Sequence, residues 1–451
     1  MLQGLLLALG ANPALVSSIM VWVGLATIIG VLYLMIKQVE TRLVLLGSGF
    51  LLCFLSIDPL SGFVAFEKGM VLTGFIKTIL SVMGFAYVMK QTRCDTHLVN
   101  LMVSLLSRVR LIIIPGAVLI TAFINIALPS AAGVVASVGV IMIPLMISLG
   151  VHPAVAASAV MAGTFGSQLS PGHPQNAFLS NMFNAPIIDV INWHVRADVV
   201  SICIGAIMLF VVALVRKEHT GYIPEDGPVS GQVEKPNLLY ALVPVLPVLL
   251  LVLCAWFNSP AAPGFGKAFM AAAPWFKIYT SVPAAMLTGA ILGIIVTRSC
   301  PTACVKEFFN GMGSGYAAIL GLIISASVFV AGMHAVGLIE AGINAMKSAT
   351  GVVRFATAFG PFALALITGS GDAATLAFQQ AVTPHALDFG MTIENMGGMA
   401  MLSGSLGRAM SPLAGAAIIS AGMARVHPLE ITKRNAAGMI TAAFVSMMIL
   451  A

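Results

Sequence analysis

The feature that most constrains this chain is the end-to-end recurrence of apolar runs about 20 residues long, the length an α-helix needs to cross a bilayer. Such runs lie near 14–36, 43–60, 69–89, 195–215, 237–257, 278–297, 309–333 and 428–450. Of the 451 residues, 59% are hydrophobic and only 8% charged. A soluble domain carries about 25% charged residues, so a water-soluble fold of this chain would lack the polar shell to cover its core. The sequence therefore predicts an all-α, multi-pass membrane protein with the lipid bilayer as the solvent for much of its surface. The net charge of +6 comes from basic residues set singly between apolar runs, which is a mark of topology and not of a nucleic-acid surface. With the N-terminus outside, most Lys and Arg residues fall inside, among them Lys37, Arg42, Lys90, Arg93, Arg108, Arg110, Arg216, Lys217, Arg298 and Arg425, whereas Lys347 falls outside. The six cysteines are scattered, and Cys300 and Cys304 lack the second ligand pair a zinc site requires, so neither a disulfide framework nor a metal site is expected. Met1 to Ala11 lack a positive leader and read as a lead-in to the first span.

Two regions, 111–190 and 352–425, break the pattern because Pro and Gly interrupt their apolar runs at half the membrane's depth. They also resemble each other. Gly163-Thr-Phe-Gly-Ser-Gln-Leu-Ser-Pro171 aligns with Gly404-Ser-Leu-Gly-Arg-Ala-Met-Ser-Pro412, and Pro129-Ser-Ala-Ala-Gly133 falls opposite Gly369-Ser-Gly-Asp-Ala373. The arms that follow each carry a proline (Pro144, Pro384) and end at a glycine (Gly150, Gly390), and Tyr87 to Met102 resembles Ala331 to Met346. A polar linker at 217–236 separates the halves, and the proline-rich stretch from Phe257 to Phe276 reads as an outside loop. Each half is thus predicted to hold a span, a short amphipathic helix, a re-entrant helical hairpin, a helix broken at Gly and Ser-Pro, and a final span. The basic residues give the two halves opposite orientations, and inverted repeats with interrupted helices point to a transporter's binding site. Backbone that leaves a helix at membrane depth must be buried in protein or face a water-filled cavity, so the hairpins and breaks are expected to converge. Free N–H groups at half-helix N-termini suit a carboxylate, while freed carbonyls and hydroxyls suit a small cation.

Arg408 is the sharpest single signal, because it lies in an otherwise uncharged run from Met399 to Met423 where a guanidinium needs a partner. That partner is a substrate carboxylate held bidentately, Asp372, or hairpin carbonyls. Asp372, in Thr368-Gly-Ser-Gly-Asp, is a candidate to pair with Arg408, to bind a coupling Na+ or H+, or to cap the next helix. Ser130, Thr164, Ser167, Ser170, Ser370, Ser405 and Ser411 place hydroxyls at the tips and breaks, with Gly371 between Ser370 and Asp372. A lone Ser in a membrane helix usually bonds to its own backbone. His173, Gln175 and Asn176 follow the first break, and His173 is a second candidate for the coupling ion or proton. Gly311, Gly313 and Gly315 read as close helix packing, since no strand precedes them to make a dinucleotide fingerprint. No P-loop is present, so the chain supplies no ATP engine of its own. A channel would need a continuous polar path. An intramembrane hydrolase would need Ser370 as a nucleophile beside His385 or His173. The repeated tip argues against the second, and the chain is expected not to be an enzyme, with no cofactor.

Thr368-Gly-Ser-Gly-Asp-Ala373, Gly404-Ser-Leu-Gly-Arg-Ala-Met-Ser-Pro-Leu-Ala-Gly415 and Ala421-Gly-Met-Ala-Arg-Val-His-Pro-Leu-Glu430 resemble the anaerobic C4-dicarboxylate carrier family of Dcu type C, within the wider ion transporter superfamily. The resemblance covers most of the chain and is strongest from 360 to 435. It implies carriage of fumarate, succinate, malate or aspartate by exchange or ion-coupled transport in a bacterial inner membrane. It further implies a homodimer in which a mobile domain moves as an elevator against a fixed scaffold. On that division, 1–110, 195–351 and the final span 426–451 flank two transport segments, 111–194 and 352–425. The substrate site would lie at Ser130 and at Ser370 to Asp372, with the breaks at Thr164 to Ser170 and Ser405 to Ser411. The sequence departs from the pattern at Leu128-Pro-Ser-Ala-Ala-Gly133, which lacks an acid or carboxamide, and at Gly172-His-Pro-Gln-Asn176. A carrier of another organic anion and a sodium/proton antiporter are the alternatives.

Overall fold

The computed structural model describes residues 2–8, 10–37, 39–106, 112–223, 235–259, 262–346 and 350–451, and among them every regular element is a helix. The chain opens with α1 (Leu2–Ala8), α2 (Pro13–Ile36), α3 (Thr41–Leu55), α4 (Ser61–Met70), α5 (Thr73–Gln91) and the short α6 (Cys94–Leu106). A helical hairpin follows, α7 (Ile113–Ala127) and α8 (Ala131–Ser148). Next come α9 (Pro153–Gly163), a 3-10 turn at Thr164–Leu169, α10 (Pro174–Phe183) and α11 (Ile187–Val215). The middle of the chain holds α12 (Leu238–Leu242), α13 (Leu246–Asn258), α14 (Gly264–Ala272), a 3-10 turn at Pro274–Thr280, α15 (Val282–Thr297) and α16 (Pro301–Gly315). A π turn at Tyr316–Leu320 joins α16 to α17 (Gly321–Ala335), which is followed by α18 (Leu338–Met346). A second hairpin, α19 (Thr350–Thr368) and α20 (Gly371–Ala381), leads through a 3-10 turn at Thr383–Phe389 to α21 (Ile393–Met410), α22 (Gly415–Ala424) and α23 (Pro428–Ile449).

By length and composition four of the described helices can cross a membrane, or up to seven if three bent pairs each count as one span. Several helices start where the sequence supplies a cap acceptor followed by proline, as at Asn12-Pro13, His152-Pro153 and His427-Pro428. Trp22, Ile29, Ile207, Val215 and Phe309 are exposed, an outer surface that only lipid makes stable. Phe257 to Phe276, expected as a loop, instead contains α14 and the start of a 3-10 turn. Its aromatic rings meet edge to face, with Phe257 and Phe265 at 5.5 Å and Phe269 and Phe276 at 5.2 Å between centroids. Of the expected linker 217–236, residues 224–234 lie outside the described residues, as do Arg108, Arg110 and Lys347 of the charge pattern.

Two large hydrophobic cores hold most of the packing, beside two small clusters, one of Leu179, Val190 and Met401 and one of Cys254, Met270 and Phe276. Of the large cores, one joins α2, α3, α17 and α18 through residues such as Met20, Leu52, Ala326 and Phe329. There the helices touch backbone to backbone: a Cβ on Gly49 would lie 2.6 Å from Phe329 N, and one on Gly332 would lie 2.6 Å from Gly49 O. The larger core holds both hairpins and their neighbours. Within it α11 and α23, expected outside the two transport segments, pack on each other with Gly438 against Gly205, and both also pack on α9 and α21. Gly311 and Gly315 press α16 onto Met83 of α5, as close packing requires, whereas Gly313 faces open space.

Candidate functional site

The two hairpin tips are built alike. Ser130 is extended and accepts a hydrogen bond from Gly133 N at 3.2 Å, starting α8, and Ser370 accepts one from Ala373 N at 3.2 Å, starting α20. Ser130 is exposed and Ser370 half-buried. Gly369 has φ +77°, and a Cβ there would strike Leu413 backbone at 2.7 Å, so this turn requires glycine. Ser370 is hydrogen-bonded to neither His385 nor His173, and His385 faces Asp388 at 3.4 Å.

At the first break the α-helix gives way after Gly163 to the 3-10 turn, and Ser170, before Pro171, is extended at ψ 132°. The cause is local. Gly163 and Gly166 lie against α7, where Cβ atoms would come within 2.4 Å of Thr121 and 2.3 Å of Ala122 O. Asn125 of α7 accepts the Ser167 N–H at 2.9 Å, which removes that donor from the helical ladder, and its own amide donates to Leu128 O at 2.9 Å. Thr164, Ser167 and Ser170 are buried, and their hydroxyls serve nearby backbone: Met161 O, Thr164 O and Gly172 N.

The second stretch departs from the expected pattern. α21 runs unbroken through Gly404 and Gly407 to Met410, and the break comes only at Ser411-Pro412, where Ser411 is extended at ψ 130°. These glycines admit neighbours without ending the helix. A Cβ on Gly404 would lie 2.0 Å from Thr375 Oγ1, and one on Gly407 would lie 2.2 Å from Phe362 O. No side-chain acceptor captures an α21 amide here as Asn125 does. Instead the hairpin bonds to side chains of α21 and its C-cap: Phe362 N donates to Ser403 Oγ at 2.9 Å, and Ser411 Oγ donates to Leu366 O at 2.7 Å.

The two breaks meet. Arg408 Nη2 donates to Thr164 O at 3.0 Å, tying α21 to the end of α9. Of the expected partners for Arg408, then, the bond formed is to a carbonyl, although one of the broken helix and not of a hairpin. Among the described residues no carboxylate lies within ion-pair distance of Arg408, and the expected pair with Asp372 does not form. Asp372 instead accepts from Gln175 Nε2 at 3.0 Å and lies 3.9 Å from His173 Nε2. Gln168 donates to Ser405 Oγ, to Met401 O at 3.3 Å and to Gln175 Oε1 at 3.3 Å, so an amide chain crosses between the halves. Gly371 seats the second tip on α21, where a Cβ would lie 2.9 Å from Gly404 O and 3.3 Å from Arg408 Cβ. His173 is buried, and among the described residues neither of its ring nitrogens has a hydrogen-bond partner. Three charged or chargeable groups, Arg408, Asp372 and His173, thus share one locality with the Thr164, Ser405 and Gly371 backbone. Ser130 sits apart from them, with its neighbour Pro129 near Gly172, on a cavity of ≈ 770 Å³ that also reaches Lys90, Arg93 and Glu307.

Three polar residues in this region carry no obvious motif: Asn125, His194 and Asp198. The last two are ionisable groups four apart in an apolar run, either side of the expected start of that span at 195.

A bundle of lipid-exposed helices enclosing paired hairpins and interrupted helices around a half-buried arginine defines a membrane transporter. The chain belongs to the C4-dicarboxylate anaerobic carrier family, DcuC, whose model matches residues 31–451. A Haemophilus influenzae protein described as an uncharacterized transporter is 43% identical over 280 residues, covering 61% of this chain and 96% of that protein. The anaerobic C4-dicarboxylate transporter DcuC of Escherichia coli K12 is 24% identical over 449 residues, 92% of each chain. The fold is similar to that of the Alcanivorax borkumensis YdaH transporter, with a TM-score of 0.60 at 16% identity over 93% of this chain and 97% of that one. The chain is a multi-pass membrane transporter and not an enzyme.

Proposed function

We propose that this protein is a secondary carrier of C4-dicarboxylates (fumarate, succinate, malate or aspartate) in a bacterial inner membrane, working by exchange or ion-coupled flux. The observation that carries the reading is Arg408. Its guanidinium joins two interrupted helices through one N–H group, and its other donors have no protein partner among the described residues. Beside it stands a buried histidine whose ring nitrogens are likewise unpartnered, and the charges of Asp372 and Arg408 both act on that ring. A buried polar group without a partner costs about 1–3 kcal/mol, and a planar carboxylate is the natural acceptor for a guanidinium fork. One substrate carboxylate meets Arg408, while the second is held by His173 and hydroxyls or N–H groups among Ser370, Gly371 and Ser405. Thr164, Ser167, Ser170 and Ser411 hold the backbone around it. Asp372 repels a third carboxylate.

Movement is proposed as an elevator. The two halves act as inverted repeats, which the matching caps at Ser130 and Ser370 support, and the hairpins with their broken helices travel together. Because α11 and α23 pack on those helices, they go with them. The α2–α3–α17–α18 core belongs to the scaffold, through which a homodimer forms. The cavity at Lys90, Arg93 and Ser130 is the inside approach to the first tip.

The test is uptake into proteoliposomes of labelled mono-, di- and tricarboxylates by wild type and by Arg408→Ala. Wild type is expected to favour C4-dicarboxylates, and the variant, inserted and folded, to take up less than a hundredth as much. Near-normal uptake by Arg408→Ala would remove this residue from the site.

A further inference from the structure

α11 carries a buried ionisable pair that the substrate site does not use. His194 Nδ1 and Asp198 Oδ2 are 2.5 Å apart, one helical turn from each other, and both side chains are 0% exposed. On the other side of the ring, His194 Nε2 lies 3.1 Å from Asn176 Oδ1. The orientation of Asn176 is set independently, because its Nδ2 donates to Gln168 O at 2.7 Å and to Ser170 O at 3.0 Å. Its Oδ1 must therefore accept, and His194 Nε2 must carry a hydrogen. With that tautomer, Nδ1 and Oδ2 can approach so closely only with a second proton between them, held as imidazolium and carboxylate or as imidazole and carboxylic acid. The pair is neutral in either form. Without this proton it would leave a bare negative charge in a fully buried site, at a cost of several kcal/mol. Among the described residues Asp198 Oδ1 and Ser201 Oγ are buried and have no hydrogen-bond partner, so the second carboxylate oxygen is unsatisfied.

The pair is also wired to the first break. If the proton leaves, the Nδ1 lone pair faces a carboxylate, and the remaining ring hydrogen is drawn to Nδ1. Nε2 then presents a lone pair to Asn176 Oδ1, and the amide must turn. Turning withdraws its hydrogens from Gln168 O and Ser170 O, the carbonyls at the end of the 3-10 turn. Gln168 itself reaches Ser405 and Met401 in the second half.

Other ionisable groups on helices packed against α11 are His173 at the start of α10, Glu394 and Arg408 on α21, and Glu430, Lys433 and Arg434 on α23. Asp189 and Arg196 share α11 itself and are exposed. Arg434 is occupied by Glu218 and Glu430, and Lys433 by Glu430. The charge of His194 acts on the His173 ring. The helices α7 and α9 bring no charge to the pair.

We propose that Asp198 and His194 together form the proton-binding site of this carrier and pass their protonation state through Asn176 to the first helix break. One proton is taken from water at one membrane face and returned to water at the other, and no other bond changes. The inference rests on the dicarboxylate reading and assigns its coupling ion to a place different from Asp372 or His173.

The experiment uses the full chain in proteoliposomes at about pH 8, where ordinary carboxyl groups are ionised and fumarate brings no proton of its own. Wild type is assayed for fumarate counterflow and for net uptake under an imposed pH gradient, with an entrapped pH dye. One proton is expected to move per fumarate in net flux. In Asp198→Asn the ratio of gradient-driven uptake to counterflow is expected to fall at least tenfold. His194→Gln, which keeps a donor toward Asn176, is expected to do the same. An unchanged ratio in either variant that exchanges, or net wild-type flux without proton movement, overturns the proposal. Should neither variant exchange, pH-difference infrared spectra of the purified proteins decide: a titrating carboxyl or imidazolium band present in wild type must vanish in Asp198→Asn, and its persistence overturns the proposal. Wild type that exchanges fumarate without proton coupling defeats this inference alone, whereas wild type that carries no dicarboxylate defeats the functional reading as well.

Discussion

The stretches 163–171 and 404–412 share two glycines and a closing Ser-Pro, yet they fold differently. The first is a largely buried 3-10 turn whose backbone is bonded to nearby side chains: Ser167 N to Asn125, and Gln168 O and Ser170 O to Asn176. The second remains α-helical to Met410 and presents Arg408, half-buried, with donors to spare. On the proposed reading the same motif builds a joint in one place and a binding surface in the other, depending on whether a neighbouring side chain captures a backbone amide. The first break is the joint, fastened from outside by Asn125 and Asn176. On the proposed reading the second is the surface that faces the solute.

Five substitutions probe this contrast. Gly407→Ala drives a Cβ to 2.2 Å from the Phe362 carbonyl, which as backbone cannot step aside, and is expected to cost about 3 kcal/mol or more. Gly404→Ala meets the Thr375 hydroxyl instead, which can rotate, so the ratio of folded protein recovered should favour Gly404→Ala in size-exclusion profiles. Arg408→Lys keeps the charge but loses the fork. A lost charged hydrogen bond of about 1.5–3 kcal/mol corresponds to dicarboxylate affinity about 10- to 100-fold weaker, read by titration, with the melting temperature little changed. Asn125→Leu leaves the Ser167 N–H buried and unpaired, at about 1–3 kcal/mol of stability, and is expected to lower the melting temperature more than it lowers affinity. Ser130→Ala removes an exposed cap worth about 0.5–1 kcal/mol, and a small fall in melting temperature is the expected result.

Much of the helical plan was legible because bilayer thickness fixes the length of a span. The runs at 14–36 and 428–450 correspond to α2 and α23 within a residue. The extended residues before Pro171 and Pro412 were legible too, since proline disfavours helix in the residue ahead of it whatever the context. The glycines were not. Gly163 and Gly404 look alike in sequence, and what separates them is Asn125, about 40 residues from the first and without a counterpart beside the second. Arg408 was visible as a charge needing a partner, but the partner is a carbonyl 244 positions away, which no local pattern records. His194 and Asp198 were obscure for a related reason. As side chains they look like the polar edge of a span expected to start at 195, and the 29-residue length of α11 places both well inside it.

The central claim is that Arg408, and not the first break, holds the solute's carboxylate. Equilibrium binding of labelled succinate to purified wild type, Arg408→Ala and Asn125→Leu tests it most directly, with thermal melting as the check on folding. Saturable binding to wild type and Asn125→Leu, together with at least a hundredfold loss in a well-folded Arg408→Ala, is the predicted result. Equal affinity in wild type and Arg408→Ala would contradict it.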